Sequence, residues 1–151
     1  MACYSIDGKM ALVANDTIVH AVGGTTLPRR AFIYEVFVGS TSVAADASAE
    51  LHFQRCTATP AGFTAVTARP LDLADAAAIT SGGEIHTVEP TYTADLVMLN
   101  IPFHQRSTPR WVARHDRAQI VTPATTDNGC GLLCVTVNTA FTVGATIHFE
   151  E

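Results

Sequence analysis

Apolar and polar residues alternate with a period of two along much of this chain, and this pattern limits the chain to a β-sheet fold. In residues 49–57, Leu51 and Phe53 alternate with polar neighbours, and residues 142–150 repeat the pattern at the end of the sequence. Successive side chains of a strand point to opposite faces. Both stretches therefore predict strands with one buried face and one wet face.

Two further stretches, residues 31–39 (AFIYEVFVG) and 130–138 (CGLLCVTVN), are apolar on both faces. They predict central strands that are covered on both sides, or strands with one face in a subunit interface. Strict alternation in the first stretch would place Ile33 and Phe37 on one face and Phe32, Tyr34, Val36 and Val38 on the other. Shorter strands are predicted at residues 17–22, 84–88, 94–99, 110–114 and 119–122.

Glycine and proline turns separate these stretches, as at Gly23-Gly24 and at residues 81–83 and 127–129. Only residues 71–79 (LDLADAAAI) have a helical pattern. About eight short strands between such turns are typical of a β-sandwich or jelly roll. The sequence thus predicts an all-β chain, with a single domain over residues 1–151 and at most one short helix. Residues 1–14 are expected to form an N-terminal arm or an edge strand.

The composition narrows the classes of partner. Charged residues make up 15% of the chain and the net charge is −5, whereas a general nucleic-acid binder carries a basic face. So low a content of charged residues favours a protein whose surface is partly covered by neighbouring subunits. No apolar run approaches the roughly 20 residues of a membrane helix, and the start has no signal-peptide pattern. We therefore expect a protein made in a cytoplasm, with no membrane or nucleic-acid partner.

The four cysteines do not have the spacing of a metal site. None forms a CxxC pair, and Cys130 and Cys134 would lie about 13 Å apart on one strand, too far for a shared metal or a disulfide. We interpret all four, which are Cys3, Cys56, Cys130 and Cys134, as small and mostly buried apolar residues.

Motifs that carry catalysis are also missing from the sequence, including GxSxG, the P-loop, GxGxxG after a strand and HExxH. Six histidines could converge on a metal, but no two have the i, i+2 spacing usual on the strands of cupin-like barrels. His52 and His148 fall on the polar side of their strands, which is typical of exposed histidines. The sequence predicts no catalytic, cofactor-binding or metal-binding residues, and a cupin-like metalloenzyme is the less favoured alternative.

The most unusual segment is residues 103–117 (FHQRSTPRWVARHDR), which surrounds the only tryptophan with arginines. Arginine and tryptophan dominate the energetics of protein interfaces, so the candidate interface residues are Arg106, Arg110, Trp111, Arg114 and Arg117. Two other interpretations stay open. The segment could be a nucleic-acid surface with an aromatic stacker, or a loop and short strand whose tryptophan packs in the core while the arginines face water.

One family resemblance spans most of the chain from Ala31 onward. Residues 50–73 (ELHFQRCTATPAGFTAVTARPLDL) contain an alternating strand, a small polar loop and a Thr-x-x-Pro-Leu turn. Residues 75–78 (DAAA), residues 89–93 (EPTYT), the Trp111 region and residues 148–151 (HFEE) follow in order. This arrangement resembles the capsid decoration, or cement, proteins of tailed phages.

The resemblance implies a β-sandwich or jelly-roll module, often a homotrimer, on the outside of an assembled phage head where major capsid proteins meet. It implies no catalysis and no cofactor. The expected location is the exterior of the virion, and the expected partners are the major capsid protein and further copies of this chain. The alternative within the virion is a tail or fibre protein, or one that binds a host glycan. An exposed, concave position of Trp111 would favour glycan binding.

Overall fold

The chain folds into two six-stranded antiparallel sheets packed together, which confirms the predicted all-β sandwich. The computed structural model describes residues 1–57, 61–115 and 118–151, and this part of the chain contains no α-helix. In chain order the strands are β1 (Cys3–Ala11), β2 (Thr17–Val22), β3 (Phe32–Ser40), β4 (Ser48–Cys56), β5 (Thr64–Val66), β6 (Arg69–Pro70), β7 (Ser81–Glu84), β8 (Tyr92–His104), β9 (Arg110–Val112), β10 (Ile120–Val121), β11 (Gly129–Val137) and β12 (Thr142–Glu150).

The strand order is that of a jelly roll. The first sheet runs β10-β3-β12-β1-β6, with β9 also paired to β3, and the second runs β5-β7-β2-β11-β4-β8. Among the eight principal strands, β1 pairs with β12, β2 with β11, β3 with β9 and β4 with β8. This first-with-last pairing describes one long hairpin folded over into two sheets. The described strands therefore specify the jelly-roll form of the predicted sandwich.

The core lies between the sheets and follows the alternation read from the sequence. In β12, Val143, Ala145, Ile147 and Phe149 are buried while the residues between them are partly exposed. In β4, Leu51 and Phe53 are fully buried in the same way. Both period-two strands are thereby confirmed. Burial of each large apolar side chain contributes roughly 1.5–3 kcal/mol to folding.

The N-terminal segment belongs to the first sheet. Strand β1 pairs with β12 over its whole length, from Cys3 opposite Glu150 to Ala11 opposite Thr142. Ile6 is fully buried in the core, and β6 pairs with the other side of β1 at Ser5. Residues 3–11 are therefore bound within the domain, and their removal is expected to expose the core.

A β-bulge in β3 overturns the predicted alternation of residues 31–39. Opposite β12, His148 pairs with Glu35 and Phe149 pairs with Ile33, so Tyr34 is the additional residue. A bulge of this kind places two successive side chains on one face. Tyr34, which was predicted to share a face with Val36, lies instead beside His148 on the outer face of the first sheet.

Two local predictions were wrong. Residues 71–79 form turns and bends rather than a helix, because Asp72 Oδ1 accepts the Ala74 N–H at 2.9 Å and its carbonyl accepts the Asp75 N–H at 3.0 Å. The bond to the Asp72 side chain competes with a helix, and the backbone bond closes a turn. The strand predicted at 84–88 is β7, which ends at Glu84. Ile85 follows with φ of 51°, which turns the chain out of the sheet.

The cysteines agree with their interpretation as apolar residues. All four have free thiols; Cys56, Cys130 and Cys134 are buried, and Cys3 is partly buried. Burial raises the pKa of Cys56 to about 12 and that of Cys134 to about 11. These thiols stay protonated near neutral pH and pack as small side chains.

Candidate contact site

The arginine-rich segment begins where β8 ends and turns back toward the first sheet. The Ser107 N–H donates to the His104 carbonyl at 2.8 Å and closes this turn. Within the turn, Arg106 pairs with Asp46 at 3.2 Å, and both side chains are well exposed, at 59% and 83%. An exposed pair of this kind contributes little to stability, so Arg106 is held only weakly.

Arg110 is held by a buried carboxylate. It lies on β9 opposite Phe37, and Val112 lies opposite Glu35. The Arg110 Nε–H donates to one oxygen of Glu35, whose other oxygen accepts from His148 Nδ1 at 2.9 Å. Glu35 is only 7% exposed, whereas the Arg110 side chain is 63% exposed. The carboxylate thus fixes an arginine whose outer end faces solvent.

The charge of Glu35 is stabilised by its two neighbours. Burial by itself raises the pKa of this carboxyl, but hydrogen bonds from Arg110 and His148 outweigh that effect and leave the pKa below its usual range. Phe37 and Tyr34 lie against the His148 ring, with ring centroids 5.7 and 6.0 Å away. A shallow depression of about 360 Å³ is lined by Glu35, Arg110 and His148 together with Phe37 and Thr108.

Trp111 faces the opposite way from Arg110, because successive residues of a strand alternate. It pairs with the buried Val36 and packs, partly buried, against the core. It also lines a groove of about 230 Å³ between β9 and β8, together with Leu99, Asn100, Ile101, Pro102, Pro109 and Arg110. Trp111 is therefore partly buried in this groove and does not form a fully exposed platform. On β9, Trp111 faces the core and Arg110 faces solvent. This arrangement fits the interpretation in which the tryptophan packs in the core while the arginines face water.

Beside this groove, β8 forms the last strand of the second sheet. It is 13 residues long, and among the described strands it pairs only with β4. Leu96 and Val97 are 46% and 38% exposed, and the stretch from Leu96 to Phe103 contains no charged residue. An edge strand leaves a row of backbone N–H and C=O groups open to pairing. We call the surface formed by β8, β9 and the groove between them the open wall.

The structure brings part of the predicted patch together. Arg110 and Trp111 both border the open wall, Arg106 lies in the turn that joins its two strands, and Arg114 is exposed just beyond β9. Arg117 lies outside the described residues. Sequence reasoning missed the partners Glu35 and His148. The available signal was Glu35 itself, the only charged residue in the apolar stretch 31–39.

Four of the six histidines lie on strands of the two sheets, and His86 and His115 lie outside the strands. His52 and His148 are partly exposed, whereas His20 is fully buried. Among residues 1–57, 61–115 and 118–151, no group of three or more His, Cys, Asp or Glu side chains is placed to hold a metal ion. The same described residues contain no helix of the length and apolarity needed to cross a bilayer.

The fold defines the class of this protein as an all-β jelly-roll sandwich. Comparisons with protein-family models, with curated proteins and with solved structures found no match. Jelly rolls occur among viral capsid proteins, lectins and cupins, so the fold alone does not assign a function.

Proposed function

We propose that this protein is a capsid decoration protein, which binds the outside of an assembled phage head where major capsid proteins meet. The open wall carries this proposal, because it offers another protein a free strand edge, an apolar groove beside Trp111 and the fixed Arg110. Such a combination of backbone edge, aromatic residue and arginine suits protein contacts. The sequence resemblance supplies the identity of the partner.

Two physical effects would let a decoration protein stabilise an assembled head. A protein that binds only the assembled lattice stabilises that state by mass action. Many copies with modest contacts hold a shell firmly, because each contact acts together with its neighbours. Further copies of this chain, as a homotrimer, and the major capsid protein are the proposed partners, and the proposed location is the exterior of the virion. The proposal involves no cofactor, membrane or nucleic acid.

A second candidate, binding of a host glycan by a virion protein, draws on the depression at His148. There the aromatic rings of Tyr34 and Phe37 lie beside the polar groups of Glu35, Arg110 and His148. Rings next to fixed polar groups are common in ligand sites. A glycan array probed with the purified protein would support this candidate by a selective signal that is lost in Phe37→Ala.

The decisive experiment for the decoration proposal is quantitative mass spectrometry of purified particles that carry this chain. We expect a fixed ratio to the major capsid protein, of about one to one or a simple fraction of that. A handful of copies per particle would support a tail or fibre part instead. Absence from the particles would refute a structural role in the virion.

A further inference from the structure

Across the outer face of the second sheet, a buried histidine lies between two glycines. On β2, His20 pairs with Gly83 of β7 on one side and with Gly131 of β11 on the other. A Cβ on Gly83 would lie 2.6 Å from His20 Cε1 and would overlap Phe63, and one on Gly131 would overlap the Tyr92 hydroxyl. The missing side chains thus leave room for a layer of residues above His20.

That layer consists of Phe63 and residues 84–92. We call residues 84–92, which run from the end of β7 to the start of β8, the lid. The Glu84 carboxylate accepts the Lys9 N–H at 2.6 Å, and the Glu89 carboxylate accepts the Thr17 N–H at 2.8 Å. The Tyr92 hydroxyl lies 2.7 Å from Thr17 Oγ1. Hydrogen bonds therefore hold both ends of the lid, and within it His86 contacts His20.

The hydrogen bonds of the two histidines fix the position of every ring proton. His86 Nδ1 lies 3.1 Å from the Thr17 carbonyl, which can only accept, so this nitrogen carries the proton. In a neutral ring, His86 Nε2 is then an acceptor. His20 Nδ1, at 2.7 Å from it, must donate. His20 Nε2 is left as a bare nitrogen, buried and without a hydrogen-bond partner among the described residues.

This arrangement has no place for a third proton. A proton added to His20 Nε2 creates a buried N–H that faces no acceptor. A proton added to His86 Nε2 faces the His20 Nδ1–H, so His20 must move its own proton from Nδ1 to Nε2. Both routes end with the same unpaired N–H on His20 and with a buried positive charge. Each of these is costly in a protein interior.

The charges around the pair favour His86 as the ring that takes up the proton. Asp16, Glu84 and Glu89 all act on His86 to stabilise its charged form, although burial outweighs them. His20 packs against the rings of His86 and Phe63, and both its burial and the neighbouring His86 oppose a charge on it. His86 can therefore carry a proton near those carboxylates once it has left His20.

We propose that the His20–His86 contact is an acid-sensitive latch, which keeps the lid closed over β2 near neutral pH and releases it when His86 takes up a proton. In the open state, His86 is solvated and His20 loses its cover. The device is independent of the partner that the protein binds. It predicts that opening of residues 85–91, between β7 and β8, is coupled to proton uptake while the two sheets stay folded.

Imidazole nitrogen NMR on the wild-type protein tests the closed state directly. At pH 7.5 we expect both rings to be neutral with the proton on Nδ1, which is the less common tautomer in solution. Finding the proton of His20 on Nε2 would overturn the proposal. This measurement needs no variant, so it decides even if the variants below fold poorly.

Hydrogen exchange of the lid amides tests the release. The glutamine in His86→Gln can still accept from His20 and donate to Thr17, but it does not titrate. After correction for intrinsic exchange, opening of the wild-type lid should rise about tenfold per pH unit below about 6, as expected for the uptake of one proton. In His86→Gln it should stay constant, and in the control His52→Gln, on β4, it should follow the wild type. Equal pH dependence in His86→Gln and the wild type would refute the latch.

Discussion

The two long sides of this sandwich differ in the hydrogen-bond partners of their backbone groups. On the open wall, the outer edge of β8 pairs with no described strand, and an apolar groove lies beside it. On the other side, carboxylates accept the backbone N–H groups: Glu84 from Lys9, Glu89 from Thr17, and the C-terminal Glu151 from Ile79 and Thr80. We call this second region, which includes the lid, the closed side.

Exposed apolar side chains do not distinguish the two regions. Ile85 and Val88 of the lid are 54% and 57% exposed, slightly more than Leu96 and Val97 of the open wall. The difference lies in the backbone. On the closed side, carboxylates accept the N–H groups of Lys9, Thr17, Ile79 and Thr80, whereas the outer edge of β8 pairs with no described strand. We therefore expect substitutions on the closed side to lower stability, and substitutions on the open wall to lower binding with little change in stability.

The largest expected effect on the closed side is the response to acid. Burial and then the neighbouring His86 lower the pKa of His20 from 6.5 to about 4. Between those values the unfolded chain binds a proton that the folded chain does not, so the free energy of unfolding falls as the pH falls. The full loss is roughly 3 kcal/mol, at about 1.4 kcal/mol per pH unit. Urea unfolding at pH 7.5, 5.5 and 4.5 measures it.

Glu35 on the first sheet sharpens this test, because its stabilising effect has a different pH window. Its pKa is lowered by Arg110 and His148 against the effect of burial, so its contribution is present above about pH 4.5 and is lost below it. A decrease in stability between pH 6.5 and 4.5 therefore belongs to the histidine pair. Constant stability across that interval would contradict the account of His20.

The next largest effect is expected at the two glycines that flank His20. Gly83→Ala and Gly131→Ala should each lower the free energy of unfolding by about 2 kcal/mol, since the added methyl group overlaps Phe63 or Tyr92. Gly144→Ala is the matched control, because its Cβ would have no neighbour closer than 4.0 Å. Chemical denaturation compares the three variants. Equal losses at all three glycines would show that strand propensity, rather than overlap with Phe63 and Tyr92, sets the cost.

A smaller loss is expected at the C-terminus. Glu151 accepts the Thr80 N–H at 3.0 Å and the Thr80 hydroxyl at 2.8 Å. Glu151→Ala leaves these partly buried donors unpaired and should destabilise the protein by about 1–2 kcal/mol. The control Glu50→Ala removes a carboxylate that accepts from the more exposed His52 and Asn100. Its effect on the thermal midpoint should be clearly smaller than that of Glu151→Ala.

The smallest change in stability is expected on the open wall. The double variant Leu96→Lys and Val97→Lys adds charge to exposed edge positions, as natural edge strands do. Its free energy of unfolding should lie within about 0.5 kcal/mol of the wild type. A much larger loss would mean that β8 is already packed against something in the free protein, and the two regions would then not differ as described.

The sequence predicted the strands better than the contacts between them. The alternation of Leu51 and Phe53 fixes which face of β4 is buried, whatever its neighbours are. The site at Glu35 depends on one additional residue, Tyr34, opposite β12, and a period of two contains no signal for such a bulge. The lid depends on Gly83, His20 and Gly131 meeting in register from three distant strands. Register between remote strands arises from tertiary packing, so local patterns do not reveal it.

The most direct test of the open wall as the contact surface is a count of copies retained per purified particle. The compared chains are the wild type, the Leu96→Lys, Val97→Lys double variant, and Leu73→Lys, whose side chain between β6 and β7 is 96% exposed. We predict that the wild type and Leu73→Lys are retained at the same fixed ratio to the major capsid protein, and that the double variant is lost although it is folded. Retention of the double variant at the wild-type ratio would contradict the account.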